Sequence, residues 1–345
     1  MSRGVLMGEE SGQVVDRKEP DEASRTFGII GLGRMGGSLA LQALEKGWRV
    51  AGFTLGDAPG ELVAAGLRAA GSLGELRQLL PRPRKVLLYV PAGPTVDELL
   101  ARLETVLDAG DIVADGGNSY WGDSIARHRR LRDRGLHLVD LGTSGGVSGA
   151  RRGACFMAGG DPEPIAELER LLTDLAVPGG YVHAGPPGAG HFTKLVHNGI
   201  EFGMLQAIGE GVNLLAKYPH AILNIEGILR NWNHGSVIRS WLVELLAKAY
   251  EDEGGMERIS PYVEDTGEVN WLVADALHME VPVPVIALSV MQLFASRDDE
   301  RPWARAIAMM RHGFGGHPYG PAAAIAEERR TGRIGDAFLG QGGSR

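Results

Sequence analysis

The chain has 345 residues, room for about two domains, and its 44% apolar and 23% charged content is that of a globular protein, which excludes a largely disordered chain. A formal net charge of −8 argues against nucleic acid or an anionic membrane as the main partner, because binding rows of phosphates needs a surplus of Lys and Arg. The single cysteine, Cys155, excludes an intrachain disulfide framework and a multi-cysteine zinc site, and it fits a reducing cytoplasm.

Residues 1–25 are polar and lack an apolar signal-peptide core, so they read as an N-terminal tail without regular structure. Thr26–Gly31 is a short apolar run ending in glycine, followed by a helical pattern with Met35, Leu39, Leu41 and Leu44. Arg49–Thr54 reads as a second strand and closes a βαβ unit. Further strands are expected at Lys85–Val90, Asp111–Asp115 and His137–Leu141, separated by helical stretches near 61–70, 95–109 and 121–134. Such alternation implies a parallel sheet covered on both faces. Cys155 lies in Gly153–Met157, expected to be a buried strand, and reads as a small buried thiol rather than a nucleophile.

Beyond about Gly188 the pattern is helical, at Phe192–Lys217, 222–231, 236–251, 269–277, 285–296 and 300–311. The apolar run Val281–Ser296 contains Pro282 and Pro284 and is too short to span a bilayer. The expected architecture is a Rossmann-type doubly wound α/β domain over 26–187, an all-helical domain over 188–330 and a C-terminal tail over 331–345. His128, His183, His220, His234 and His278 have no paired ligand spacing and point to no metal site.

Gly31-Leu32-Gly33-Arg34-Met35-Gly36 stands between a strand and a helix. In that setting the first glycine permits a tight turn, the second admits a pyrophosphate and the third allows close helix–strand packing. At the end of the second strand an acid would favour NAD and an arginine NADP. The segment Phe53-Thr54-Leu55-Gly56-Asp57 carries neither at the strand end, and the absence of any base from 50 to 60 tips the balance to NAD over NADP.

Lys194, His197, Asn198 and Glu201 stand at i, i+3, i+4 and i+7, which places a base, an imidazole, an amide and an acid on one helix face. A solvated face with i,i+4 pairs is the plain alternative. Gly199 and Gly203 interrupt the helix interior, each at about 1 kcal/mol relative to Ala, and so imply that something approaches closely. The stripe reads as a wall of a catalytic pocket.

With these residues in view, the sequence resembles the 6-phosphogluconate dehydrogenase family in its shorter form, within the β-hydroxyacid dehydrogenases. The segments that carry the resemblance are Gly31–Gly36, Val90–Gly93, Asp115–Ser119, Gly142–Gly146, Lys194–Glu201 and Phe314–His317, in that order. The resemblance implies oxidative decarboxylation of a 3-hydroxy sugar acid, with Lys194 as base toward the C3 hydroxyl and Glu201 as general acid. It implies substrate contacts from Asn118, Ser144, Gly145, Gly146, His197 and Asn198. Arg311 and His317 belong to a segment that can complete a neighbouring subunit's site. Cofactor contacts are implied at the glycine loop, Thr54, Val90, Pro91, Ala92 and Asn118, and the assembly as a homodimer or homotetramer.

The sequence departs from the family where the substrate phosphate is held. A Tyr, a Lys or Arg, and an Arg are replaced by Phe202, Asn270 and Leu293. Losing two charged hydrogen bonds and one neutral one removes roughly 4–7 kcal/mol if additive, or about three to five decades of affinity. Arg239, Arg297 or Arg301 could substitute. Two readings follow: action on 6-phosphogluconate, or a specialised homologue acting on another 3-hydroxy acid or as a ketone reductase. A cofactor-binding pseudoenzyme is disfavoured by the presence of both Lys194 and Glu201.

Overall fold

The computed structural model describes residues 25–326, so the tails expected at 1–25 and 331–345 lie, Arg25 aside, outside the described residues. The chain divides into two compact units between Leu195 and Val196.

The first unit runs β1 (Thr26–Ile30), α1 (Arg34–Glu45), β2 (Arg49–Phe53), α2 (Gly60–Ala64), β3 (Arg68–Ala69), α3 (Leu73–Leu79), β4 (Lys85–Leu88), α4 (Pro94–Leu103), β5 (Ile112–Asp115), α5 (Trp121–Arg132), β6 (His137–Ser144), α6 (Gly146–Arg152), β7 (Ala154–Gly159), α7 (Pro162–Leu175) and β8 (Ala176–Gly185). Its eight strands lie in the order 3-2-1-4-5-6-7-8. All neighbours are parallel except β6 and β7, so the expected parallel sheet is mostly, not wholly, parallel. The reason is the short α6: seven residues cannot carry the chain back across the sheet, whereas a parallel connection needs a dozen or more.

Alternation along the strands builds a core on each face. Phe27, Ile29 and Leu87 pack with Leu39 of α1 and Leu168 of α7 on one side. Ile30, Val86 and Leu88 pack with Leu76 of α3, Leu100 of α4 and Leu131 of α5 on the other. The helix expected over 61–70 stops at Ala64, because Gly66 sits at φ +104 in the left-handed region and the chain turns into β3.

Helix α8 (Ala189–Ala216) spans the division between the units. The second unit continues with α9 (Ile225–Trp232), α10 (Trp241–Glu253), α11 (Glu268–His278), α12 (Pro284–Arg297) and α13 (Pro302–Gly315). Its helices match the expected positions closely. Val212, Ile225, Leu229 and Ala247 form a small core with Trp232 packed against it. No helix among the described residues is long and apolar enough to cross a membrane.

Candidate active site

The strand order reverses between β1 and β4, which opens a crevice beyond the carboxyl ends of those strands. Gly31 turns there at φ +93, and a Cβ on it would strike the Tyr89 carbonyl. A Cβ on Gly36 would strike the Gly31 carbonyl. At Gly33 a Cβ would meet nothing within 4 Å. Two of the three glycines are thus demanded by the fold itself, and the third borders open space of the kind a pyrophosphate needs. Helix α1 starts at Gly33 with no side-chain cap and no acidic residue in its first turn, so its positive end remains available to an anion. These features fit a dinucleotide. Arg34 is exposed and Met35 half-buried in the loop, Leu32 is buried beneath it, and Thr54 follows β2 half-buried, with Asp57 fully at the surface.

Tyr89 forms the floor of this region. Its ring lies so close beneath Gly116 that a Cβ there would come within 2.5 Å of it, and its hydroxyl bonds with Thr143 Oγ1 at 3.0 Å. Burial, with a smaller contribution from the Asp115 carboxylate, pushes the Tyr89 phenol well above its ordinary range, and the Thr143 hydrogen bond only partly opposes this.

Asp115, at the end of β5, shapes the loop that presents Asn118. Its carboxylate accepts from Gly117 N at 3.0 Å and from Ser119 Oγ at 2.8 Å, which leaves Asn118 exposed at the loop tip. Buried Arg127 lies 3.8 Å from Asp115 and grips Asp97 with two hydrogen bonds at 2.8 and 2.9 Å. It also donates to the Gly93 carbonyl at 3.2 Å, tying down the loop of Val90, Pro91 and Ala92. Those bonds from Arg127 hold the Asp97 carboxyl below the usual range.

The start of α8 is pressed onto the sheet. The buried Asp140 carboxylate accepts from Gly188 N at 2.7 Å and from His191 N at 2.8 Å, an acidic cap at the positive end of a long helix. One turn further on, Lys194 sits directly over Gly142 of β6, where an added Cβ would lie 2.6 Å from Lys194 Cβ. Two residues along the same strand is Ser144, followed by Gly145 and Gly146, all three at least partly accessible. The first unit therefore brings together the glycine loop, the 90–92 and 116–119 loops, the end of β6 and Lys194.

In the second unit His197 Nδ1 lies 3.8 Å from Glu201 and 3.4 Å from Asn198 Oδ1. Asn198 is buried, while His197 and Glu201 are each 39% exposed. The close approach expected at Gly199 is made by neighbouring helices. An added Cβ there would strike Leu272 of α11 and crowd Ile286 of α12, so the glycine permits close helix packing. Arg311 is exposed on α13, and the His317 ring lies edge-on to Phe314 at 6.0 Å. Phe202 and Leu293 are half-buried and Asn270 is exposed.

Two residues were misjudged or missed in sequence. Cys155 is exposed, not buried: alternation turns it away from buried Ala154 and Phe156, and its face is uncovered at the start of β7, although Met157 further along that face is buried; it pairs across the ladder with Ser144. His191 carried no signal, since a lone histidine beside the polar stripe has nothing to mark it, yet it is 2% exposed and hydrogen-bonded at both ring nitrogens.

Residues 26–185 match the model of the NAD binding domain of 6-phosphogluconate dehydrogenase, and residues 190–328 match that of the enzyme's C-terminal domain. The chain belongs to the 6-phosphogluconate dehydrogenase family. It is a dehydrogenase with a nicotinamide-dinucleotide-binding domain. Among its relatives in that family, the Haloferax volcanii NAD(+)-dependent, decarboxylating 6-phosphogluconate dehydrogenase is 40% identical over 294 residues, covering 84% of this chain and 97% of its own. The Bacillus subtilis protein YqeC, named only provisionally as a 6-phosphogluconate dehydrogenase, is 41% identical over 292 residues, covering 84% of this chain and 98% of its own. The solved structure of Plasmodium falciparum 6-phosphogluconate dehydrogenase is similar with a TM-score of 0.72 at 25% identity, over 88% of this chain and 68% of that one.

Proposed function

We propose that the protein catalyses the oxidative decarboxylation of 6-phosphogluconate to ribulose 5-phosphate and CO2, in a cytoplasmic setting, with NAD favoured over NADP. The observation that carries this reading is the seating of Lys194 over Gly142, two residues from Ser144, in a chain whose family match extends over both domains. The dinucleotide supplies, when bound, the acceptor for the hydride that leaves C3. Lys194 takes the proton of the C3 hydroxyl, leaving a β-keto acid. The C1–C2 bond then breaks to release CO2, and its electron pair remains as an enediol. Lys194 returns its proton to the oxygen at C3 as the enediol forms; Glu201 then delivers a proton to the former C2 while Lys194 takes back the C3 hydroxyl proton, which leaves the ketone. Asn118, Ser144, Gly145, Gly146, His197 and Asn198 orient the acid and its hydroxyls.

A second reading, the same chemistry on a different 3-hydroxy acid or ketone reduction, is favoured by Phe202, Asn270 and Leu293. Arg297, one candidate substitute cation, is already committed to Asp265 at 3.1 Å and to the Val263 carbonyl at 2.6 Å. The exposed apolar side chains of α13, among them Trp303, Met310 and Phe314, support a homo-oligomer in either case.

Absorbance at 340 nm and CO2 release, measured together with 6-phosphogluconate and each dinucleotide, test the proposal. Saturation well below millimolar, with one CO2 per reduced dinucleotide, is the expected result. Millimolar or absent saturation overturns the first reading in favour of the second.

A further inference from the structure

We propose that His191 is a positioning residue for the reaction, locking the turn that carries Lys194 to the loop that carries Asn118; this rests on the dehydrogenase reading above. His191 Nε2 lies 3.0 Å from the Asp115 carbonyl and Nδ1 lies 2.7 Å from Ser124 Oγ. A carbonyl can only accept, so Nε2 carries a proton and donates, while Nδ1 shares the shorter bond with the Ser124 hydroxyl, which also reaches the Tyr120 carbonyl at 3.2 Å. Both ring nitrogens are thereby used, and the ring has a single orientation.

The position of this link gives it its consequence. On one side, Asp140, Gly142 and Gly159 anchor the start of α8 to β6 and β7: Asp140 through its two amide hydrogen bonds, and the glycines by close approach, since a Cβ on Gly159 would lie 2.5 Å from Gly190 N. These contacts set the height of the turn above the sheet. On the other side, His191 reaches to β5 and α5. Its acceptor there is Asp115, whose carboxylate also holds Gly117 N and Ser119 Oγ on either side of Asn118. One residue therefore couples the helix turn to the loop through its carbonyl and shapes the loop through its side chain. Lys194 follows His191 by three positions, on the adjoining part of the same helix face. Without the imidazole, that turn and the 116–119 loop are free to shift independently. A shift of about 1 Å at a reacting group costs on the order of 10²-fold in rate.

The test compares His191→Ala, His191→Gln and Ser124→Ala in the full-length protein. The glutamine amide reproduces the Nε2 donor to Asp115 but not the Nδ1 contact with Ser124. The readouts are kcat, substrate KM, affinity for the reduced dinucleotide by fluorescence, and the primary deuterium isotope effect with substrate labelled at C3. His191→Ala is expected to lower kcat by ~30-fold, to raise the isotope effect and to leave dinucleotide affinity within ~3-fold. Gln should recover at least ~5-fold of that loss, and Ser124→Ala should lose ~3–10-fold. A kcat for His191→Ala within ~3-fold of wild type overturns the proposal, as does an equal loss in Ala and Gln with dinucleotide affinity falling in parallel. If His191→Ala does not fold, His191→Gln and Ser124→Ala decide the matter by the same criteria. If the wild-type protein oxidises no 3-hydroxy acid, the functional reading fails separately. Amide hydrogen exchange then reads the link: His191→Ala should accelerate exchange at 116–119 and 189–194 by at least ~10-fold while 26–53 is unchanged, and unaltered exchange there refutes it.

Discussion

Replacing Gly142 by Ala places a methyl group 2.6 Å from Lys194 Cβ and 2.8 Å from the Gly190 carbonyl. Carbon–carbon contact is comfortable only at about 3.5–4.0 Å, so roughly 1 Å of separation must be created. Neither neighbour is the loose end of a side chain: one is the root of Lys194 and the other is helix backbone. The relief must come from lifting the first turns of α8, which Asp140 and Gly190 hold against the sheet. Overpacking of this kind costs about 1–3 kcal/mol, or roughly 2–4 °C in melting temperature per kcal/mol for a domain of this size. The catalytic effect should be larger, because a 1 Å displacement of the base lowers kcat by on the order of 10²-fold. The glycine loop is not touched by the substitution, and dinucleotide affinity should stay within about 2-fold. Steady-state kinetics, fluorescence titration of the reduced dinucleotide and thermal unfolding measure the three quantities. A folded Gly142→Ala enzyme with kcat within ~3-fold of wild type would refute the argument that Lys194 acts from this seat.

Gly33→Ala and Gly36→Ala should separate binding from folding. The first meets no protein atom and should leave melting nearly unchanged while weakening dinucleotide binding at least ~10-fold; the second collides with the Gly31 carbonyl and should lower the melting temperature itself. Equal effects on melting would contradict the assignment. Because the folded state holds the Tyr89 phenol neutral, its contribution to stability is full below the ordinary tyrosine range and is lost as pH rises above it, where the unfolded chain ionises first. Above about pH 10, urea midpoints should therefore fall more steeply for wild type than for Tyr89→Phe, and parallel slopes would refute this. Cys155 should react stoichiometrically with a thiol reagent in the native protein, whereas a thiol titratable only after unfolding would contradict its exposed position near the start of β7.

Wherever local pattern and final environment coincide, the sequence alone was sufficient. The strand–glycine–helix opening, the five expected strands that became β1, β2, β4, β5 and β6, and the helices of the second unit are repeated by the structure within a few residues. The spacing of Lys194, His197, Asn198 and Glu201 on a helix was legible for the same reason, since helical periodicity is local. What depended on distant partners was not legible. The antiparallel entry of β7 follows from how little chain α6 provides, and the exposure of Cys155 from where along that strand its face finds a cover. Gly199 carried a visible signal with an ambiguous meaning, because a missing side chain marks a close approach without naming what approaches; Leu272 and Ile286, some 70 to 90 residues later, decide it. His191 had no signal at all. Its two hydrogen bonds reach back 67 and 76 residues, and only the folding of β5 and α5 against the start of α8 brings those acceptors and donors within range.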